Sequence, residues 1–512
     1  MKTSRRIFVR NSAISSLGLG LVPTELEAIK SSKATQNTRE NLFLGMQMGT
    51  HSLLDDGLEW TLDFLKEKGG INTIITYSHA YYGADNRPDS VLADHGKGLH
   101  SFKNRNLPKV WVHHREEYFR DLLLKHQKPV ESNDFYGRDA FREMRKPLDD
   151  RNMKVYIRLF EPWAKDGAGR IENYDKVLTK DIYGDTGRGP CWNNPDYQAW
   201  IFATVKDVFI NYQIDGIQYG AERVGPLSEL LLKGETPNCF CKHCIKKNNA
   251  FNIDDERAKA GFVEISQLIK RAANKDIPAD GVFISLMNIV FHYPEILSWE
   301  RNFYEGGEEI NKGIFNTIKN INPTIQVGRH VDHQQSSWDP IYRAMVPYSK
   351  MANYNDFIKP ILYHDIFAIR LRYWYIQRIN QLVGRDFSEN ELLNGFYAMM
   401  QFQPAAKIPL EMLDKSSMPP EYVAQETKRC LEGVNGKAKV YPGLGFDVPW
   451  HLPQGGVVPY PSKPELVYQA TFAALNAGAH GLVASRDYDE MQTKNIKSFG
   501  KAVGDFTTLN SK

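Results

Sequence analysis

Along the chain, short apolar and β-branched runs that end in polar side chains alternate with longer stretches whose apolar positions recur at helical spacing. A short apolar run bounded by turn signals marks a strand buried on both faces, and a period near 3.6 marks an amphipathic helix. Eight such runs occur, at 42–48, 72–76, 154–159, 216–219, 325–328, 357–362, 439–444 and 481–484. Helical spacing fills 58–68, 140–150, 195–212, 367–382, 389–400 and 422–431. The stretch 282–290 resembles a strand in isolation. Phe291, Ile296, Trp299, Phe303, Ile310 and Ile314 nevertheless carry a helical period on to Lys319, so a helix is predicted there, kinked or divided at Pro294.

Eight β-then-α units in one chain, with no glycine fingerprint after the first strand, predict an α/β protein: a closed (β/α)8 TIM barrel rather than an open doubly wound sheet. The barrel is expected over 38–508, with long βα-loop insertions. The largest, at about 80–133, is polar, aromatic and rich in His, which suits a loop over the barrel mouth. Neither a Walker motif nor Gly-x-Gly-x-x-Gly follows any strand, so no organic cofactor is expected.

In a barrel of this kind, function collects at the C-terminal ends of the strands. Those ends carry His51, His79, Glu161, Glu222, Arg223, His330, Asp332, His333, Tyr363, His364, Asp447, Arg486 and Asp487. A purely structural mouth has no need of carboxylates on strands three, four and seven. With 64 basic against 61 acidic residues, the chain lacks the sustained positive field that nucleic acid requires. Aromatic residues make up 12% of it, which suits both a large core and stacking on sugar rings.

Several segments carry a family resemblance: Met153-Lys154-Val155-Tyr156 with Glu161, Cys191-Trp192-Asn193-Asn194-Pro195, Asp215-Gly216-Ile217, Pro294 to Glu300, and Val327-Gly328-Arg329-His330. In these the chain resembles predicted glycoside hydrolases with a (β/α)8 barrel, distant relatives of the cellulase and β-galactosidase superfamily. The resemblance implies a carbohydrate substrate and O-glycosidic bond cleavage by two carboxyl groups. It further implies an acid/base at the end of strand four, where Glu222 stands, and a nucleophile at the end of strand seven, where Asp447 stands. Two departures are visible: Ala221 precedes Glu222 where the superfamily has Asn, and Asp447 is one methylene shorter than the usual Glu. Glu161 is the rival for either role. His79, Arg223, His330, His333, Tyr363 and Arg486 are candidate sugar-binding residues, and Trp163 and Trp450 candidate stacking platforms. Two other readings stay open. Glu161, Glu222, His330 and Asp447 can instead ring a divalent ion in a sugar isomerase, epimerase or lyase, or the barrel can bind carbohydrate without catalysis.

Immediately after the strand-four loop, Cys239, Cys241 and Cys244 form a Cys-x-Cys-x-x-Cys run. Thiolates at this spacing can converge on a closed, structural Zn²⁺ site if Cys191 or His243 supplies the fourth ligand. A disulfide or free thiols are the alternatives. The resemblance to zinc-containing β-galactosidases, which place such a run here with an earlier cysteine, implies the zinc site. At the N-terminus, Ser4-Arg5-Arg6-Ile7-Phe8-Val9-Arg10 precedes a weakly apolar stretch at 13–22, too short to span a bilayer core of about 30 Å. This resembles a twin-arginine (Tat) signal. Residues 1–30 are accordingly expected to direct a folded protein through the Tat translocase to the periplasm or medium, with no stable membrane anchor.

Overall fold

A computed structural model describes residues 42–80, 92–95, 109–131, 135–159, 161–162 and 170–510. The expected signal at 1–30, most of the insertion tip and Trp163 lie outside the described residues.

Eight parallel strands form the sheet: β1 (Phe43–Met48), β2 (Thr73–Tyr77), β3 (Lys154–Leu159), β4 (Gly216–Tyr219), β5 (Gln326–Val331), β6 (Phe357–Pro360), β7 in two halves (Lys439–Val440 and Gly443–Gly445) and β8 (Gly481–Ser485). Each pairs with its sequence neighbours, and β8 returns to pair with β1. The ring closes through β7: its first half pairs with β6 and its second with β8, on either side of Tyr441-Pro442. Proline has no N–H for the ladder. Here the Pro442 carbonyl still accepts from the Val483 N–H at 2.9 Å, and an isolated bridge joins Ile361 to Gly443.

Strand side chains alternate between the helices outside and the barrel interior. Leu44, Met46, Val155, Ile157, Val327 and Leu482 join the main apolar cluster under the helices. The inward set has two levels. Near the N-terminal ends of the strands it is an aromatic plug of Phe43, Tyr156, Phe357 and Tyr441. Phe43 stacks on Tyr441 at 4.2 Å between centroids, and Phe357 lies 5.0 Å from Tyr441. Four large rings fit inside a narrow barrel only because facing positions are glycine. A Cβ at Gly328 would lie 2.0 Å from the Phe357 ring, and one at Gly216 would lie 2.7 Å from that of Tyr156. One level higher the inward set turns polar.

The stretch over 282–290 is helical, as its period predicts, and Pro294 divides it. Helices Gly281–His292 and Glu295–Ile321 meet at 79°. Preceding them are three helices that the periodicity left unassigned, Pro226–Lys233, Lys242–Asn249 and Asp255–Ala273. Together these elements form a second small core containing Leu227, Phe240, Phe262, Ile265 and Trp299 around the cysteine run. It is an excursion between β4 and the long helix that returns to β5.

Gly328→Ala forces the Phe357 ring to move within the plug, and overpacking of this kind costs about 1–3 kcal/mol. Urea unfolding should show that loss, whereas Gly395→Ala, with no atom within 4 Å of the added Cβ, should show none.

Candidate active site at the barrel mouth

The upper inward level consists of Gln47 on β1, Arg158 on β3, Gln218 on β4, His330 on β5, Lys359 on β6 and Ser485 on β8, each buried. The Gln218 amide donates to Gln47 Oε1 at 3.3 Å, and Lys359 Nζ donates to the same oxygen at 3.4 Å and to Ser485 Oγ. His330 Nδ1 lies 3.3 Å from Gln218 Nε2 and 3.4 Å from Lys359 Nζ, both donors, so it acts as an acceptor. The imidazole proton then sits on Nε2 and is donated to Glu222 Oε1 at 3.1 Å. Burial, reinforced by the charges of Arg158 and Lys359, holds His330 well below the ordinary histidine pKa and keeps it neutral.

Glu222 lies just past β4 with its side chain 46% exposed at the mouth, and the buried Arg158 guanidinium approaches it from below at 3.5 Å. Burial by itself would raise the Glu222 pKa. The Nε2–H hydrogen bond from His330, then the charges of Arg158 and Arg486, outweigh it and hold Glu222 below the ordinary carboxylate range. Asp332, just past β5, behaves oppositely: burial first, then the negative charge of Glu222, raises it to about 7, against a backbone hydrogen bond from Gln334 at 3.2 Å. Two carboxyl groups at the ends of adjacent strands are thus pushed toward opposite protonation states.

The other expected carboxylates are committed elsewhere. Asp447 is fully buried with φ +62°, and its oxygens accept from the Ser462 N–H, from the Gln492 backbone and side chain, and from the Asn495 amide, at 2.8 to 3.0 Å. That saturation makes it an anchor for the loop after β7 and corrects its expected place as a nucleophile facing the cleft. Glu161 is also buried: Oε1 accepts from Trp192 Nε1 and from Tyr197 Oη at 2.9 Å, and Oε2 pairs with Arg223 at 3.2 Å. Arg223 is spent on that pair, on the Pro190 carbonyl at 2.6 Å and on the Trp192 ring at 4.4 Å. The four donors of the metal-ring alternative, Glu161, Glu222, His330 and Asp447, therefore do not converge.

Among the expected sugar contacts, Tyr363 and Arg486 join the mouth: Tyr363 Oη lies 3.0 Å from Ser485 Oγ, and the Arg486 carbonyl accepts from Gln47 Nε2 at 2.8 Å. His333 accepts from Arg370 at 2.8 Å. His79 belongs to a different construction, in which Nδ1 meets Ser78 Oγ at 2.9 Å and Nε2 meets His114 at 2.7 Å, with His114 in turn on Asp207 at 2.5 Å. Trp450 is 4% exposed and packs against Tyr373 and Trp374, so it is core and not a platform. Sequence reasoning passed over Arg158, Gln218, Lys359 and Arg370. A signal existed for the first three: inward positions of period two turn from apolar to polar at the top of each strand. Arg370 sits inside a helical stretch and had none.

Cys191, Cys239, Cys241 and Cys244 are all buried and their sulfurs lie within 4.8 Å of one another, a group that can hold a metal ion. Cys191 is 3.5 Å from Cys244 and 3.4 Å from Cys241. The fourth member is thus Cys191; His243 is outside the group, and none of the four is in a disulfide.

No family model matches the chain, and no curated protein matches it in sequence. Solved structures do resemble it. The β-galactosidase of the psychrophilic Marinomonas ef1 aligns at 9% identity and a TM-score of 0.51, covering 92% of this chain and 60% of that one. The β-galactosidase of the Antarctic haloarchaeon Halorubrum lacusprofundi aligns at 12% identity and a TM-score of 0.50, covering 91% and 58%. The chain spans about three-fifths of the length of these enzymes. At such identities the likeness is one of fold, and with the ring of eight strands it makes this an α/β barrel.

Proposed function

We propose that the chain is a glycoside hydrolase-like enzyme that cleaves O-glycosidic bonds of an oligo- or polysaccharide, with Glu222 and Asp332 as its carboxyl pair. The observation that carries this reading is the placement of two carboxyls just past adjacent strands, Glu222 part-exposed and held by His330 and Arg158 and Asp332 beside it on the next strand, in surroundings that push their pKa values apart. Glycosidic cleavage needs one group that gives a proton to the leaving oxygen and one that attacks or activates water. Asp332, proton-bearing to about pH 7, is the donor. Glu222, ionised and oriented by His330 and Arg158, is the nucleophile or base. The β-galactosidases that share the fold lend general support.

The four-cysteine group is assigned to structural zinc. Bonds of about 2.3 Å in a tetrahedral site set sulfurs about 3.8 Å apart, close to the 3.4 and 3.5 Å found. All-thiolate sites are closed, so the ion would act as a cross-link, tying Cys191 on the barrel side to the excursion after β4. Residues 1–30 are assigned to Tat export, which would carry the chain out folded, with its metal already bound.

General acid and base groups contribute at least about a hundredfold each, so Glu222→Gln and Asp332→Asn should lower kcat/KM by that much on a cleaved glycoside. Wild-type activity should fall as pH rises through about 7, when Asp332 loses its proton. Unchanged turnover in both variants sinks the assignment. The same shift has a stability sign. Because the folded pKa lies above the unfolded one, Asp332 weakens the fold progressively as pH rises from about 4 to about 7. Asp332→Asn should match wild type near pH 4 and be the more stable at pH 8 by thermal melting.

Elemental analysis should find one zinc per chain; Cys191→Ser should lose it and lower Tm by several degrees, at about 1 °C per kcal/mol for a chain of this size. Replacing Arg5 and Arg6 by Lys should leave uncleaved precursor in the cytoplasm of an expressing bacterium, whereas normal export of that variant contradicts the Tat assignment.

A further inference from the structure

Around Glu222 the mouth is crowded with cations. Arg158 is answered by Glu222 itself at 3.5 Å. Arg486 is answered by Glu490 at 3.0 Å, whereas Arg370 has no such partner among the described residues.

Arg370 ends the short helix Phe367–Arg370 after β6 and is 6% exposed. Its Nη1 donates to His333 Nδ1 at 2.8 Å, on a ring that burial and the charges of Arg370 and Lys359 keep neutral. Its guanidinium carbon lies 4.6 Å from the Trp374 ring centre and 5.9 Å from that of Tyr363. Among the described residues it has no carboxylate in ion-pair contact, and its Nε, like His333 Nε2, is buried without an acceptor. The carboxyl groups that face it are Asp332 and Asp365. Asp365 is committed to the Ile366 and Val448 N–H groups and to the Ser462 hydroxyl, and burial lifts both carboxyls to about 7.

Arg486 follows β8 with φ +99°, a conformation that a non-glycine residue adopts only under strain. It spends Nε on Glu490 at 3.0 Å and keeps its side chain 29% exposed. Burial first, and then the positive charge of Arg486, lowers the Arg370 pKa to about 10. Tyr363, which Arg370 overlies, touches Ser485 at 3.0 Å, the residue before Arg486, so the fold brings the unpaired Arg370 guanidinium and the Glu490-paired Arg486 to one corner, beside buried donors without acceptors.

We propose that this corner is an anion subsite, and that the sugar held beside Glu222 carries an ionised substituent, a carboxylate or a sulfate ester, bridged by Arg370 and Arg486 with His333 Nε2–H as a further donor. A neutral hydroxyl cannot offset the charge of Arg370, which no carboxylate contacts among the described residues, while Arg486 keeps its other guanidinium nitrogens beyond the Glu490 bond. A planar carboxylate or a sulfate offers two or three acceptor oxygens to the Arg fork and does so with charge-assisted hydrogen bonds. The proposal rests on the glycosidase reading for the neighbouring site and adds the class of substrate.

The test is calorimetric binding to the full chain carrying Asp332→Asn, with three tetrasaccharides: an oligogalacturonate, a sulfated galacto-oligosaccharide and its neutral counterpart. One charged sugar should bind about 10- to 100-fold more tightly than the neutral one, and which one does so separates carboxylate from sulfate. Added salt should shrink the preference. Arg370→Gln and Arg486→Gln should each abolish it, and Arg370→Lys should keep part of it, which distinguishes recognition from a folding defect. Neutral sugar binding as tightly as both charged ones, no binding of either charged sugar, or a preference that survives both Gln variants overturns the proposal. Cleavage of neutral glycosides without charge preference would do so while leaving the glycosidase reading intact. A charged sugar held tightly but left uncut by the wild-type chain would uphold the subsite and sink the glycosidase reading.

Discussion

A positive charge inside the barrel sets the terms for everything at its mouth. Arg158 is fully buried on β3, and an unpaired guanidinium there would be expensive, so a carboxylate must stand over it. Glu222 does so at 3.5 Å. The His330 hydrogen bond and then this pairing hold Glu222 ionised, and that negative charge adds to burial in keeping a proton on Asp332. The His330 hydrogen bond, the Arg158 charge and the burial of Asp332 together differentiate two carboxyls of similar intrinsic acidity, which is what acid–base chemistry near neutral pH requires.

Support for this arrangement comes from below and from the side. Below, the plug of Phe43, Tyr156, Phe357 and Tyr441 occupies the barrel so fully that facing strands carry glycine, and the polar level rests on it. From the side, the cysteine group reaches the mouth through three consecutive residues. Cys191 belongs to the group, Trp192 donates to Glu161, and Asn193 donates to Cys244 at 3.3 Å. Glu161 in turn holds Arg223, the residue next to Glu222. A cross-link at the cysteines therefore bears on where the loop after β4 lies, and the carboxylate expected to compete with Glu222 for the chemistry is part of its support.

Much of the architecture is legible in the residue pattern alone. The eight strands, the helical nature of 282–290 and its division at Pro294 follow from hydrophobic period and from proline, which act locally. The helices Pro226–Lys233, Lys242–Asn249 and Asp255–Ala273 are not legible in that way. They serve a satellite core organised by the cysteines, not by the repeated barrel unit. At the site, Glu222, His330, Tyr363 and Arg486 stand among the strand-end residues, whereas Arg158 and Lys359 look like ordinary polar positions within strands. Only the closure of the barrel shows that they point into a shared interior.

What the sequence alone determined is the barrel and its circle of strand-end residues, because alternation and breakers state which face a side chain takes. What the tertiary structure decided is the duty of each carboxylate and which residue completes the cysteine group. Asp447 and Glu161 stand at strand ends as Glu222 does, but their oxygens are consumed by Gln492 and Asn495, and by Trp192, Tyr197 and Arg223. Cys191 joins three thiols some fifty residues away, while His243, within the run itself, does not. Partners brought from distant parts of the chain leave no local periodic trace, and burial beside them is what turns a carboxyl into an anchor, a base or an acid.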